Sequence, residues 1–392
     1  KLQQFTGPTM AKSLEDTAFY RYHRLLALNE VGGDPSAGAL PIEAFHEMMR
    51  KRAIDWPHGM TATATHDTKR GEDTRARLLA LAELPGEWTA AVARWKVLNA
   101  PHLTIDNTTR APSAPFEYML YQTLLGAWPL QPESDFTARI QAYAQKAARE
   151  AKQQTSWLNP HAAYEAGVRG FIERILDPGR SGAFIDQMQM LAERVALLGA
   201  LNSLAQLTLK ATLPGVPDFY QGTELWDLSL VDPDNRRPVD FAARAAMLDD
   251  LQQPDWAALA DTWRDGRIKL AWTRELLRLR AAHPQLFSEG SYQPLRVEGP
   301  LADRVIAFAR RHDREAVIVA IACKLAPLTD QGRRWPRADD FAGAVLLDDY
   351  RLVDDKSDRL ALADLFAAMP VTVRRGRYHG KLGRSRLRRT RN

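Results

Sequence analysis

From residue 72 to about residue 209 the sequence carries one amphipathic helical pattern after another: EDTRARLLALAEL, EWTAAVARWKVL, PFEYMLYQTLL and FTARIQAYAQKAAREAKQ, then two more around 161–176 and 182–210. A short strand signal stands on each side of this stretch. MTATAT at 60–65 alternates threonine with small apolar residues, and Val216 to Tyr220 follows a Leu-Pro-Gly turn. More than a hundred residues of helix is too long for one crossover between neighbouring strands. The pattern therefore predicts an α/β chain in which a helical subdomain, about 72–210, is inserted between two strands of one sheet.

The flanks extend this picture. Leu14, Ala18, Tyr22 and Leu25 fall at helical spacing within 11–28, and GGDPSAG after them reads as a loop. Beyond the second strand come the loop GTELWDLSLVDPDNRRPVDF and two or three helices to about 283. From 291 the texture changes to YQPLRVEG, DRVIAFARR, AVIVAIA and AVLLDDY, β-rich segments parted by turn signals that predict a small antiparallel sandwich. The expected division is 1–285, 286–373 and a basic tail, 374–392. The tail holds nine Lys or Arg and no acid, so the net charge of +5 comes from it and the body is mildly acidic. It has almost nothing apolar to anchor it and reads as a disordered end. A nucleic-acid-binding reading rests on that tail alone. The single cysteine, Cys323, cannot form an internal disulfide, and its setting in IVAIAC suits a small buried hydrophobe; a reducing, cytoplasmic location is expected. No apolar run approaches a membrane span of about 20 residues.

Three clusters could carry chemistry. His66 and Asp67 stand where the first strand would end, and barrel enzymes project catalytic side chains from the C-terminal ends of strands. Taken alone the pair reads rather as a helix start, with Asp67 as N-cap of the following helix. Lys12, Glu15, Asp16, Phe19, Tyr20, Arg21 and Tyr22 combine aromatic walls with charged grips suited to sugar, or form the solvated face of a helix. Gln221, Glu224, Asp232, Asp234, Asn235, Arg236 and Arg237 could bind sugar or Ca²⁺, while Asp-Pro-Asp-Asn is by itself a turn signature. There is no phosphate loop, no zinc spacing and no nucleophile elbow, so neither metal nor cofactor is expected.

Four blocks together resemble one family. GPTMAKSLEDTAFYRYHRLLALNEVGGDP, WPHGMTATATHDTKRGEDTRARLLALAEL, LPGVPDFYQGTELWDLSLVDPDNRRPVDF and HPQLFSEGSYQPLRVEGPLADRVIAFARR are similar to blocks of the malto-oligosyltrehalose synthases, in the α-amylase superfamily, and spread from residue 1 to about 312. The resemblance implies the C-terminal part of a (β/α)₈ barrel with a helical insertion, then a β-sandwich. It implies an isomerase of trehalose biosynthesis that converts the reducing-end α-1,4 bond of a malto-oligosaccharide into an α,α-1,1 bond by double displacement.

The resemblance makes Asp67 the transition-state stabiliser and His66 a sugar-hydroxyl ligand. The block from Lys12 to Tyr22 faces the reducing-end glucose, with His58, Lys69 and Arg70 as further pocket candidates and Gln221, Glu224, Asp234 and Arg237 from the later loop. The family's nucleophile and general acid lie after earlier strands, upstream of every block found. The Arg, Glu and Asp of VRGFIERILD read as part of a helix and do not replace them. The expectation is an incomplete enzyme that lacks both carboxylates and partners the missing N-terminal half of the barrel. The alternative is a non-catalytic glucan-binding or complementing fragment. Apolar strand edges left open by a partial barrel would favour self-association.

Overall fold

The computed structural model describes residues 1–105, 109–347, 350–353 and 360–380. The chain opens with α1 (Leu2–Thr9), which runs on as a π-helical turn (Met10–Glu15); two single 3₁₀ turns (Ala18–Tyr20, Leu26–Leu28) follow. The continuous helix expected over 11–28 is thus broken. The reason lies in tertiary contacts: Asn29 donates to the carbonyls of Phe19 and Tyr22 at 2.8 and 2.5 Å, and buried His23 lies between the carbonyls of Tyr20 and Pro115. Carbonyls used in this way cannot serve a helix ladder.

After α2 (Ile42–Asp55) comes β1 (Met60–Thr61), only two residues of the expected strand. It pairs in parallel with β4 (Val216–Pro217), Met60 opposite Val216. Between them lie α3 (Glu72–Leu79), α4 (Pro85–Asn99), α5 (Ala114–Ala127), α6 (Phe136–Ala151), α7 (Ala162–Ile175) and α8 (Pro178–Thr212). A two-stranded ribbon, β2 (Thr104–Ile105) with β3 (Arg110–Ala111), interrupts them, so the insertion is not wholly helical. VRGFIERILD falls largely on α7, as its pattern predicts.

Helix α8 organises the body. It is apolar nearly all round, so it buries two sides. Phe184, Met188, Leu191 and Val195 join the core of α3–α7, while Leu197, Leu204 and Leu207 join a second core with α11 (Arg267–Ala282). Asp177 caps its N-terminus by accepting from the Gly179 N–H at 2.9 Å. Helix α3 packs so closely on α8 that a Cβ at Gly199 would lie 2.4 Å from Cγ of Arg77. Its pattern suggests an amphipathic surface helix, yet Glu72 through Leu78 are all buried. The polar residues are tolerated there because their charges are paired or hydrogen-bonded: Arg75 pairs with Glu30, and Arg77 donates to the Trp128 carbonyl at 2.6 Å. Lys269 Nζ donates to Glu72 at 2.8 Å and Asp73 at 2.7 Å, and Lys210 Nζ lies 3.3 Å from Glu72.

Helices α9 (Phe241–Asp250), α10 (Trp256–Asp261), α11 and α12 (Pro284–Glu289) lead into two antiparallel sheets. The first orders β10-β12-β8-β7-β5, with β5 (Ser291–Pro294), β7 (Val305–His312), β8 (Glu315–Ala322), β10 (Tyr350–Leu352) and β12 (Val371–Tyr378). The second orders β11-β9-β6, with β6 (Arg296–Glu298), β9 (Val345–Leu347) and β11 (Leu360–Ala361); the short α13 (Leu362–Leu365) follows it. Buried Arg310 ties the first sheet to the helices, donating to the carbonyls of Thr212, Phe287 and Gly290 at 3.1, 3.0 and 2.9 Å.

The expected boundary at 373/374 falls inside β12. Arg374 and Arg375 belong to that strand, opposite Ile318 and Val317, because the apolar face of β8 supplies a partner that composition alone does not reveal. The rest of the predicted tail, 381–392, lies outside the described residues. Cys323 donates to the Arg304 carbonyl at 3.3 Å, and burial pushes its thiol pKa up, which suits an unreactive thiol.

Candidate active site

Because β1 and β4 are parallel, their C-terminal ends open on the same side, and the segments leaving them meet there. From β1 comes Thr63–Arg70; from β4 comes the loop 221–240. Asn235 is buried and donates to the carbonyls of Thr65 and His66 at 3.2 and 3.1 Å. Arg236 donates to the His66 carbonyl and reaches Asp67 Oδ1 at 3.4 Å. Together these bonds hold His66 and Asp67 in a turn, closed by the Thr68 N–H on the Thr65 carbonyl at 3.4 Å. Their side chains are 68% and 64% exposed, with His66 Nε2 3.6 Å from Asp67 Oδ2.

Asp67 is not a helix cap: α3 begins later, with Gly71 as N-cap, and the Asp67 N–H donates to Thr65 Oγ1 at 3.2 Å. The N-cap reading of Asp67 therefore falls. Replacing Asn235 by alanine would remove one donor from each of two carbonyls, which keep bonds from Thr68 and Arg236, and is expected to lower stability by about 0.5–1.5 kcal/mol. An unchanged denaturation midpoint would remove this tie from the account.

A cationic grip sits next to the pair in sequence. Lys69 Nζ bonds Asp16 Oδ1 at 2.7 Å, and Lys12 Nζ bonds Asp16 Oδ2 at 2.5 Å. Burial pushes the Asp16 carboxyl up, but the two lysines outweigh it and hold its pKa below the ordinary value; Asp16 in turn raises that of Lys12. The Lys69 ammonium lies 5.7 Å from the ring centre of Tyr20. Tyr20 is buried, and its hydroxyl has no partner among the described residues. Glu30 anchors the assembly from behind, accepting from the Lys69 N–H at 2.8 Å and pairing with Arg75 at 2.6 Å.

Other predicted residues stand apart from this grouping. Glu15 accepts from the Gly32 N–H, Phe19 is buried, Arg21 donates to the Ala151 carbonyl at 2.6 Å, and Tyr22 is partly exposed. Arg70 is buried, with its guanidinium on Tyr143 Oη at 2.6 Å. His58 is exposed and precedes β1, whereas the His66–Asp67 pair follows it.

The later loop is fixed by its own Arg237, 3.2 Å from Asp234, and by cations from outside it. Arg139 of α6 clamps Asp234 with two bonds of 2.9 Å, and Lys146 bonds Asp232 at 2.6 Å. Arg139 and its neighbours outweigh the effect of burial and keep the Asp234 carboxyl below its usual range. With both carboxylates so occupied, the Ca²⁺ reading loses its ligands, and no group of three or more His, Cys, Asp or Glu among the described residues is placed to hold a metal. Gln221, Asp234 and Arg237 line one cleft of about 370 Å³ with Arg139 and Trp226; Glu224 reaches it through Arg244, at 3.1 Å. Sequence reading missed Arg139, Lys146 and Glu30, since nothing local marks a residue whose partner lies in another segment.

Similarity that runs through most of the chain, in sequence and in fold alike, marks homology to a family of α/β enzymes. Two curated relatives, each described as a putative maltooligosyl trehalose synthase and from two strains of Mycobacterium tuberculosis (CDC 1551 / Oshkosh and H37Rv), are 41% identical over 323 residues; the match spans 82% of this chain and 38% of theirs. The solved maltooligosyltrehalose synthase of Arthrobacter ramosus superposes with a TM-score of 0.78 at 35% identity, covering 96% of this chain and 46% of that one. A hypothetical maltooligosyl trehalose synthase of Sulfolobus tokodaii gives 0.73 at 30% identity, covering 95% and 46%. No family model matches the chain. The chain is homologous to the maltooligosyl trehalose synthases, and it spans less than half the length of these relatives.

Proposed function

We propose that residues 1–285 form the C-terminal part of a catalytic (β/α)₈ barrel, that the two sheets from residue 286 through the end of β12 at Tyr378 form its companion β-sandwich, and that the whole takes part in trehalose biosynthesis. The reaction is the rearrangement of the reducing-end α-1,4 bond of a malto-oligosaccharide to an α,α-1,1 bond. The observation that carries this reading is the exposed His66–Asp67 pair at the C-terminal end of a parallel strand, where barrel enzymes place their chemistry, beside the Lys12–Asp16–Lys69 grip.

In this scheme Asp67 faces the positive charge that develops on the ring in the oxocarbenium-like transition state, and His66 binds a ring hydroxyl. Lys12, Asp16 and Lys69 hold the released glucose, with Tyr20 beneath Lys69. Holding that glucose lets its anomeric hydroxyl attack in place of water. A nucleophile and a general acid are also required. Asp16 is held between two lysines and Asp234 between two arginines, so neither carboxylate is free to attack or to protonate. The resemblance places both catalytic carboxylates after earlier strands of the barrel, upstream of the blocks found here, and they are assigned there. The second reading is a glucan-binding or complementing fragment with no activity of its own.

The test is reducing-end loss and free-glucose release on maltohexaose. The 392-residue chain alone is expected to change neither. Mixed with the polypeptide that covers the remaining length of its relatives, it is expected to remove reducing ends without matching glucose. Activity of the chain alone would overturn the assignment of the two carboxylates. Inactivity of the mixture, with binding retained, would favour the fragment reading.

A further inference from the structure

Two buried residues one turn apart on α3, Glu72 and Arg75, tie down both arms of the turn that carries His66 and Asp67. On the arm that enters the turn stands Thr63. Its hydroxyl donates to Glu72 Oε2 and accepts from Lys210 Nζ at 2.7 Å, and its carbonyl accepts from Arg75 Nη2. On the arm that leaves it stands Lys69, whose backbone N–H donates to Glu30 Oε1 at 2.8 Å. The other oxygen of Glu30 pairs with Arg75 Nη1 at 2.6 Å. Arg75 therefore spans the turn, with one nitrogen on the entering arm and the other, through Glu30, on the leaving arm. Glu72 lies on the same face of the helix and holds the Thr63 side chain.

The two arms lead to the two parts of the proposed site. Thr63 runs into His66 and Asp67, whereas Lys69 belongs to the grip, with its Nζ on Asp16. Helix α3 is itself locked to α8 and α11, through Glu72 on Lys210 and through Glu72 and Asp73 on Lys269, so it is a fixed reference for both arms. A forked guanidinium on two different acceptors sets a separation that a point charge does not.

That separation bears on the choice of acceptor. In either outcome the bond from C1 to the nucleophilic carboxylate breaks, a new C1–O bond forms, and the proton of the attacking hydroxyl passes to the carboxylate that served as general acid. With the held glucose as acceptor the product is non-reducing; with water it is a shortened oligosaccharide and free glucose. Misplacing a held group by about 1 Å slows its attack by about 10²-fold, whereas water needs no holding.

We propose that Glu72 and Arg75 are positioning residues: they set the His66–Asp67 turn relative to the Lys12–Asp16–Lys69 grip, and through that spacing they favour glucose over water as acceptor. The choice of acceptor rests on the function proposed above; the placement of the turn does not.

The test is the ratio of free glucose to non-reducing product formed from maltohexaose by the chain mixed with the polypeptide that covers the remaining length of its relatives. Thr63→Val keeps the shape of the side chain and removes its hydroxyl. It is expected to raise the ratio by about tenfold with maltohexaose affinity unchanged, and Thr63→Ser is expected to restore the parent ratio. Arg75→Met is expected to act more strongly, and Arg75→Lys, which keeps the charge without the fork, to fall between. Should Arg75→Met fail to fold, Thr63→Val carries the test. A second readout needs no activity: by NMR of the 392-residue chain, the His66 imidazole signals are expected to move in Thr63→Val and to stay in Thr63→Ser. If glucose and non-reducing product fall together at a constant ratio, these residues serve the fold alone and the proposal is overturned. If the parent mixture forms no non-reducing product, the function proposed above fails, and the choice of acceptor with it. The His66 signals then decide the placement of the turn, and signals unmoved in Thr63→Val overturn that as well.

Discussion

Replacing Lys269 by methionine is expected to lower the stability of the chain by about 3–5 kcal/mol, the cost of removing one partner from a buried ion group. Lys269 is fully buried, and its ammonium serves Glu72, Asp73 and the Leu225 carbonyl. Methionine fills much the same volume, so the loss measures charge and not packing. Two carboxylates would be left with only Lys210 and Thr63 on Glu72 and the Asp227 N–H on Asp73. Against a usual total of about 5–15 kcal/mol this is a large fraction. The check is the denaturant midpoint, read with and without the added changes Glu72→Gln and Asp73→Asn. These remove the stranded charges and are expected to recover part of the loss. A midpoint unmoved by Lys269→Met would mean that the cluster is wet or that its carboxylates are already neutral.

The second large effect concerns Asp67. In the mixture that restores activity, Asp67→Asn is expected to reduce the rate by about 10²–10³-fold, the scale of removing one electrostatic stabiliser from a transition state. Binding of maltohexaose and the melting temperature are expected to change little, because the Asp67 carboxylate is mostly exposed and its one close cation, Arg236, also bonds the His66 carbonyl. That contrast matters. A residue that merely held the loop would move stability and affinity along with the rate. A full rate with asparagine at 67 would take this carboxylate out of the chemistry and leave the fragment reading in place.

How far the sequence could be read depended on whether a feature was local. Helices α4–α8 follow their apolar periodicity, and the two short strands around them were marked by small and β-branched residues bounded by turn signals. Helix α3 misled because its charges read as a solvent face, and only their partners in α8 and α11 explain the burial. The break within 11–28 came from the Asn29 side chain and from His23, neither of which disturbs the helical spacing. The site divides in the same way. His66 and Asp67 were visible because they stand at a strand end. Lys69 and Asp16, 53 positions apart in sequence, met only in the fold, and Arg139 found Asp234 across 95. Family resemblance supplied candidates that spacing could not rank, and the structure sorts them into residues that face the bend and residues, such as Arg70 and Phe19, that support it from inside.

The parallel pairing of β1 and β4 also bears on the order in which the molecule assembles. The chain between the two strands runs from residue 62 to 215, and a link of that length closes at a considerable entropic cost when it is slack. Here it is not slack, since its helices pack on one another and α3, near its start, lies directly against α8, at its end. Once those helices have condensed, the two strand ends are already close, and little freedom remains to be lost when they zip together. The bend that carries His66 and Asp67 is in this sense a late product of folding, positioned by a helical scaffold that has no need of it.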